Sequence, residues 1–177
     1  MRIGELLFFA PGITFDQVDF SGEELPDQFE HRVRSFYLKP AAVCVEAGFA
    51  FAAGVLLLAC VDALARMKTG MKKVGKRFRK FARDDLTSFS EGDRAERLYD
   101  AFRNGLIHEG RIKDGAQFSF DYQSTVEEMQ GVLVINPQLL AQEVEGALKT
   151  YIAALRVDKR LRAALIRRLS EDHEADR

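Results

Sequence analysis

The chain has 177 residues, a length that suits one domain built around one core. Apolar residues make up 47% and charged residues 30%, which excludes a disordered chain. Basic and acidic side chains nearly cancel, 26 against 27, so no whole-molecule field points to nucleic acid or membrane and any charge argument rests on local clusters.

Residues 1–26 mix an apolar run, Leu6 to Phe9, with turn signals at Pro11-Gly12 and Ser21-Gly22, and predict strands or irregular packing. The first residues lack the apolar run and cleavage site of a signal peptide, which points to the cytoplasm. From Asp27 the pattern turns helical, with Phe29, Val33, Phe36 and Tyr37 on one stripe, and Pro40 ends that helix. The next helix is predicted from about Ala41 to Met67. It is apolar nearly all round, so it should be the central element. Its unbroken apolar stretch, Ala47 to Val61, is about fifteen residues against the roughly twenty that a membrane span needs, so a core helix is preferred to a span. Cys44 and Cys60 would stand roughly 24 Å apart on one straight helix, too far to pair. With no Cys-x-x-Cys and three scattered histidines, no zinc site is expected.

A basic helix follows over residues 68–83. Lys72, Lys73, Lys76 and Arg77 lie on its outer face, and Phe78 and Phe81 on its core stripe. That face could track a phosphate backbone or simply be solvated. Ser90 and Asp93 mark the start of another helix, running to Glu109, with Gly110 placed as its left-handed cap. Two alternating runs, 117–122 and 132–135, predict the two strands of a hairpin. Asn136-Pro137 opens a long final helix to about Leu169, broken near Asp158, with a frayed polar tail over 170–177. The whole is a mainly α single domain: a helical bundle over 27–169 with a small β-hairpin before the last long helix.

At 100° per residue, Ala95, Leu98, Phe102 and Leu106 of the helix ending at Glu109 fall within an arc of about 80°, its core stripe. Arg103, Asn104, Ile107 and His108 take the remaining face, with Arg103 about 140° from His108. Locally, His108 suits the last turn of a helix through the dipole, and Arg103 could pair with Asp100 or Glu96. The same spacing recurs in the tail, where Arg167 and Arg168 precede His173. Asp62 and Arg66, four apart, are read first as an intrahelical ion pair and second as groups supporting the arginine-histidine pair.

The segment Tyr99 to Gly110, with Arg103, four intervening residues and His108, and with Asn104 directly after the arginine, resembles the signature of the HEPN superfamily. That resemblance implies a helical bundle and metal-independent cleavage of RNA, of the kind used by toxin–antitoxin or phage-defence systems. It assigns His108 to proton transfer at the ribose 2′-hydroxyl or leaving oxygen, Arg103 to the phosphate, and Asn104 to orientation, with 2′,3′-cyclic phosphate products. It also implies a homodimer with the motif at its two-fold interface, an antitoxin or other protein partner, no cofactor and no membrane. The other reading of the resemblance is a non-catalytic module that binds RNA, nucleotide or protein.

Overall fold

The long apolar run becomes the centre of the molecule, but as two helices rather than one. In the computed structural model, which describes residues 2–3, 6–20 and 23–175, α2 (Lys39–Glu46) ends at Ala47-Gly48-Phe49 and α3 (Ala50–Thr69) begins anew. Gly48 makes the break with φ of +76°, a conformation that costs a residue with a Cβ roughly 1–2 kcal/mol. Cys44 and Cys60 therefore sit on different helices, and both are free thiols. α3 buries Leu57, Cys60, Val61 and Leu64 completely and packs against α2, α4 (Val74–Asp85) and α6 (Pro137–Val157). It is long and apolar enough to cross a membrane, with half of that window buried inside the fold. The expectation that this run is buried all round fails at the break. There Val43, Phe49 and Phe51 are 64%, 61% and 51% exposed.

Upstream, α1 (Leu25–Val33) passes through a π-helical turn (Arg34–Leu38) straight into α2. The N-terminal segment forms a small antiparallel sheet of β1 (Arg2–Ile3), β2 (Leu6–Ala10) and β3 (Ile13–Thr14). The Ser21-Gly22 turn signal lies outside the described residues.

The basic helix starts later than its periodicity suggests. α3 runs on to Thr69 and takes Lys68 with it, Gly70 closes it in the left-handed region, and α4 begins at Val74. Next comes α5 (Arg94–Arg97), which widens at once into a π-helix (Leu98–Glu109) capped by the left-handed Gly110. The hairpin also differs from its prediction. β5 (Val126–Met129) and β6 (Val132–Ile135) form it, while β4 (Gln117–Phe118) joins β6 in parallel on the other side. The two-residue turn is Gln130-Gly131, both with positive φ, which fits the twist of a tight hairpin.

α6 starts as predicted. Asn136 caps it by accepting from the backbone N–H of Gln138 (2.9 Å) and Leu139 (3.3 Å), and Pro137 fills the first turn. α7 (Lys159–Ala175) does not fray from Ser170. It continues because Leu169 is buried, Asp172 pairs with Arg66, and the His173 ring stacks on Phe15 at 4.5 Å. Among the described residues the fold is mainly helical, with two small sheets.

Candidate functional site

α3 and α4 are antiparallel neighbours joined at Gly70, so residues equidistant from that turn face each other. Asp62 lies eight residues before it and Arg77 seven after. The Arg77 Nε and Nη2 donate to Asp62 Oδ1 at 3.2 and 3.0 Å. From the π-helix, Arg103 Nε and Nη2 donate to the other carboxylate oxygen, Oδ2, at 3.2 and 2.7 Å. One carboxylate thus holds two guanidinium groups, and all three side chains are mostly buried, at 18%, 13% and 15% exposure. Arg103 Nη1 reaches only the Asn104 side-chain oxygen, at 3.5 Å, and Arg77 Nη1 bonds to no described residue. Two donor-rich edges are left open.

The predicted Asp62–Arg66 pair does not form, because Arg66 turns to Asp172 on α7. Nor does Arg103 pair with Asp100 or Glu96. Those acids are taken by Arg79 and Arg83 of α4. The same exchange uses up much of the basic face: Lys68 pairs with Asp85 and Lys80 with Asp84. Lys72, Lys73 and Lys76 remain exposed and make no ion pair with a described residue, while Arg77, assigned to that outer face from sequence, points inward.

A cavity of about 300 Å³ opens beside the Asp62 cluster. Val55, Leu58, Ala59, Ala63 and Leu106 give it an apolar floor, and Tyr37, Arg66, Arg77 and Arg103 stand on its polar side. Tyr37 comes from the first π segment, and Arg103 and Leu106 from the second, so the two wide turns face one cavity. π segments interrupt ordinary helical bonding and occur often at functional sites. Tyr37 was not singled out from sequence, since its spacing puts it on a core stripe, yet it lines the cavity. Burial raises its phenol above the ordinary value, with Arg32 opposing and the Asp62 carboxylate adding to the shift. Tyr99 supports the arginines from behind, its ring 5.8 Å from the Arg103 guanidinium and 4.4 Å from that of Arg79.

The π register changes the relation of Arg103 to His108. Its hydrogen bonds run from residue i+5 to residue i, as when the Gly110 N–H donates to the Gly105 carbonyl. Such a helix has about 4.4 residues per turn, so five residues make somewhat more than one turn. The 140° separation expected of an α-helix narrows to roughly 50° in that register. The two side chains still meet different surroundings, because Arg103 lines the cavity and is held by Asp62. His108 is exposed, its ring bonds to no described residue, and it lies outside the cavity wall. Next to it, Lys113 and Arg111 hold the Glu109 carboxyl below its usual range. The side chain of Ile107, expected on the same face, lies outside the described residues. In the tail, Arg168 donates to the Met67 carbonyl and His173 stacks on Phe15, so that second arginine-histidine spacing is tied into the core.

Among the described residues no group of three or more His, Cys, Asp or Glu side chains could hold a metal ion. Comparison with protein families, with curated proteins and with solved structures finds no match to this chain.

Proposed function

We propose that this chain is a HEPN-like, metal-independent endoribonuclease that acts in the cytoplasm as a homodimer, in the manner of toxin–antitoxin or phage-defence nucleases. The observation that carries the reading is the π segment itself, which holds Arg103 at the cavity edge through Asp62 and carries an exposed His108 five residues on. Arg103 is prepared for a phosphate: Asp62 fixes one edge of the guanidinium, and the Nη1 edge makes only a long 3.5 Å bond to the Asn104 side-chain oxygen. His108 has no competing hydrogen bond among the described residues, so its ring is available to take the 2′-hydroxyl proton or give one to the 5′-oxygen. The attacking 2′-oxygen then closes onto phosphorus as the bond to the 5′-oxygen breaks, leaving a 2′,3′-cyclic phosphate and a 5′-hydroxyl. Arg103 neutralises the charge gathering on the phosphoryl oxygens. Lys72, Lys73 and Lys76 are exposed cations next to the cluster and suit the flanking phosphates. A second copy has an apolar patch to cover at Val43, Phe49 and Phe51.

The test is cleavage of single-stranded RNA in EDTA. His108→Ala should lose activity by at least about 100-fold. Full activity in that variant rejects the assignment. The commitment of Arg103 to Asp62 favours a second reading, a non-catalytic module for RNA, nucleotide or a protein such as an antitoxin. Binding without turnover, weakened when Lys72, Lys73 and Lys76 are neutralised, would select it.

A further inference from the structure

The cavity beside the arginine pair has no part in the proton transfers above, yet its chemistry is specific. Its floor is aliphatic, from Val55, Leu58, Ala59, Ala63 and Leu106, so a bare phosphate gains nothing by entering it. Its volume, about 300 Å³, is at the small end of small-ligand pockets and suits one flat ring system. Its edge is cationic: two guanidinium groups share one carboxylate, leaving one excess positive charge, and of the two Nη1 edges only that of Arg103 has a partner among the described residues, Asn104 at 3.5 Å. Tyr37 also lines the wall, and its hydroxyl, which can donate or accept, makes no hydrogen bond with a described residue.

A second cavity of about 240 Å³ adjoins the first. The two share Arg66 and Arg77, and the second adds Lys72, Arg168 and one carboxylate, Glu171, so cations outnumber it four to one. An apolar compartment therefore passes into a basic one across the arginines. That sequence of surfaces matches a single strand with one base turned out of the stack and its phosphates on the charged side.

We infer that the first cavity receives one unstacked nucleobase, with the adjoining phosphate on the open edges of Arg77 and Arg103 and the next phosphate in the basic cavity. The inference rests on the RNA reading of the same site and adds what selects the position of cleavage: a base must enter the pocket beside Arg103. A free nucleotide offers the same base-and-phosphate chemistry, and the experiment separates the two sources.

Titration calorimetry on the full chain in EDTA compares the four nucleoside 5′-monophosphates with ribose 5-phosphate and inorganic phosphate. At least one nucleotide should bind about tenfold more tightly than ribose 5-phosphate, the size of effect that base stacking supplies. Ala59→Trp fills the floor from an exposed position on α3. It should remove that tenfold advantage while leaving ribose 5-phosphate within about twofold, and its thermal melt reports whether the fold is kept. Tyr37→Phe, which keeps the ring, should change the ranking among the four bases. Equal affinity for nucleotide and ribose 5-phosphate in the wild type overturns the pocket, as does an undiminished advantage in a folded Ala59→Trp. If RNA is cut and His108→Ala abolishes cutting, but no base advantage exists, the nuclease reading stands and the pocket falls. If the base advantage exists in a chain that neither binds nor cuts RNA, the pocket stands with a free nucleotide as its occupant and the RNA reading falls.

Discussion

Asp62 is the point on which two helices and the π segment agree, and Asp62→Asn tests that agreement. The substitution keeps size and shape but removes the charge. Four charge-assisted hydrogen bonds converge on the native carboxylate, two on each oxygen. The asparagine oxygen can keep one arginine. Its NH2 group then faces the other, donor against donor. A hydrogen bond to a charged group contributes about 1.5–3 kcal/mol, and breaking a buried ion pair costs about 3–5 kcal/mol. Because the three side chains retain 13–18% exposure, the expected loss is about 2–4 kcal/mol. That is a large share of the roughly 5–15 kcal/mol that holds a domain folded. Urea denaturation measures it, since urea does not screen charge as guanidinium does, and the m-value should not change. Arg103→Ala should cost less, about 1–2 kcal/mol, because Asp62 keeps Arg77. The double variant should fall short of the sum by more than about 1 kcal/mol. Inorganic phosphate should narrow the gap between Asp62→Asn and wild type, because it supplies the missing anion. A loss within about 0.5 kcal/mol, the level of an exposed pair, would refute the cluster as the organising feature of the site.

Tyr151 gives a pH-dependent prediction. Its hydroxyl donates to the Met67 carbonyl at 3.1 Å, and burial raises its phenol above the ordinary value of 10.0. The unfolded chain therefore loses that proton first as pH rises. The group's contribution is whole below about pH 10 and declines above it. Tyr151→Phe should cost about 1 kcal/mol at neutral pH, and the difference from wild type should shrink in urea melts above pH 10. Gly105 gives a steric one: a Cβ there would stand 2.4 Å from the Arg111 carbonyl oxygen. Gly105→Ala should cost about 1–3 kcal/mol in the same assay. RNA cleavage should fall with it, because the Gly105 carbonyl accepts the closing bond of the π segment.

Several features were legible from local chemistry. The mainly helical class follows from periodicity, and the start of α6 from an asparagine cap and a first-turn proline. Gly110 reads correctly as a left-handed cap. What failed depends on tertiary context. The stretch 41–67 is equally apolar on both sides of Gly48, so nothing in the pattern announces that the chain turns there. β5 is Val126-Glu-Glu-Met129, half charged, and is a strand because β6 pairs with it along its whole length. The polar tail holds its helix through contacts with Arg66 and Phe15, more than a hundred residues away.

The site teaches the same lesson more sharply. Local rules offered Arg66 to Asp62, and Asp100 or Glu96 to Arg103, all on their own helices. Each of these pairings lost to a partner on another element. A neighbour one turn away on a solvated face contributes only about 0.2–0.5 kcal/mol, whereas a carboxylate enclosed by two arginines at an interhelical junction is worth several times that. The ion pairs that matter here were therefore the ones no spacing rule could reach. The wheel drawn at 100° per residue fails for a related reason: the π-helix gives up ordinary i to i+4 bonding, and that has to be offset by what the wider turn gains. Here it gains the approach of Arg103 to Asp62. If the register is held by Asp62, it should relax toward an α-helix when Asp62 is neutralised. Amide exchange at Gly105 to Gly110 would then rise in Asp62→Asn ahead of global unfolding. Unchanged protection there would mean that the π segment is set by its own sequence, and that Asp62 only follows it.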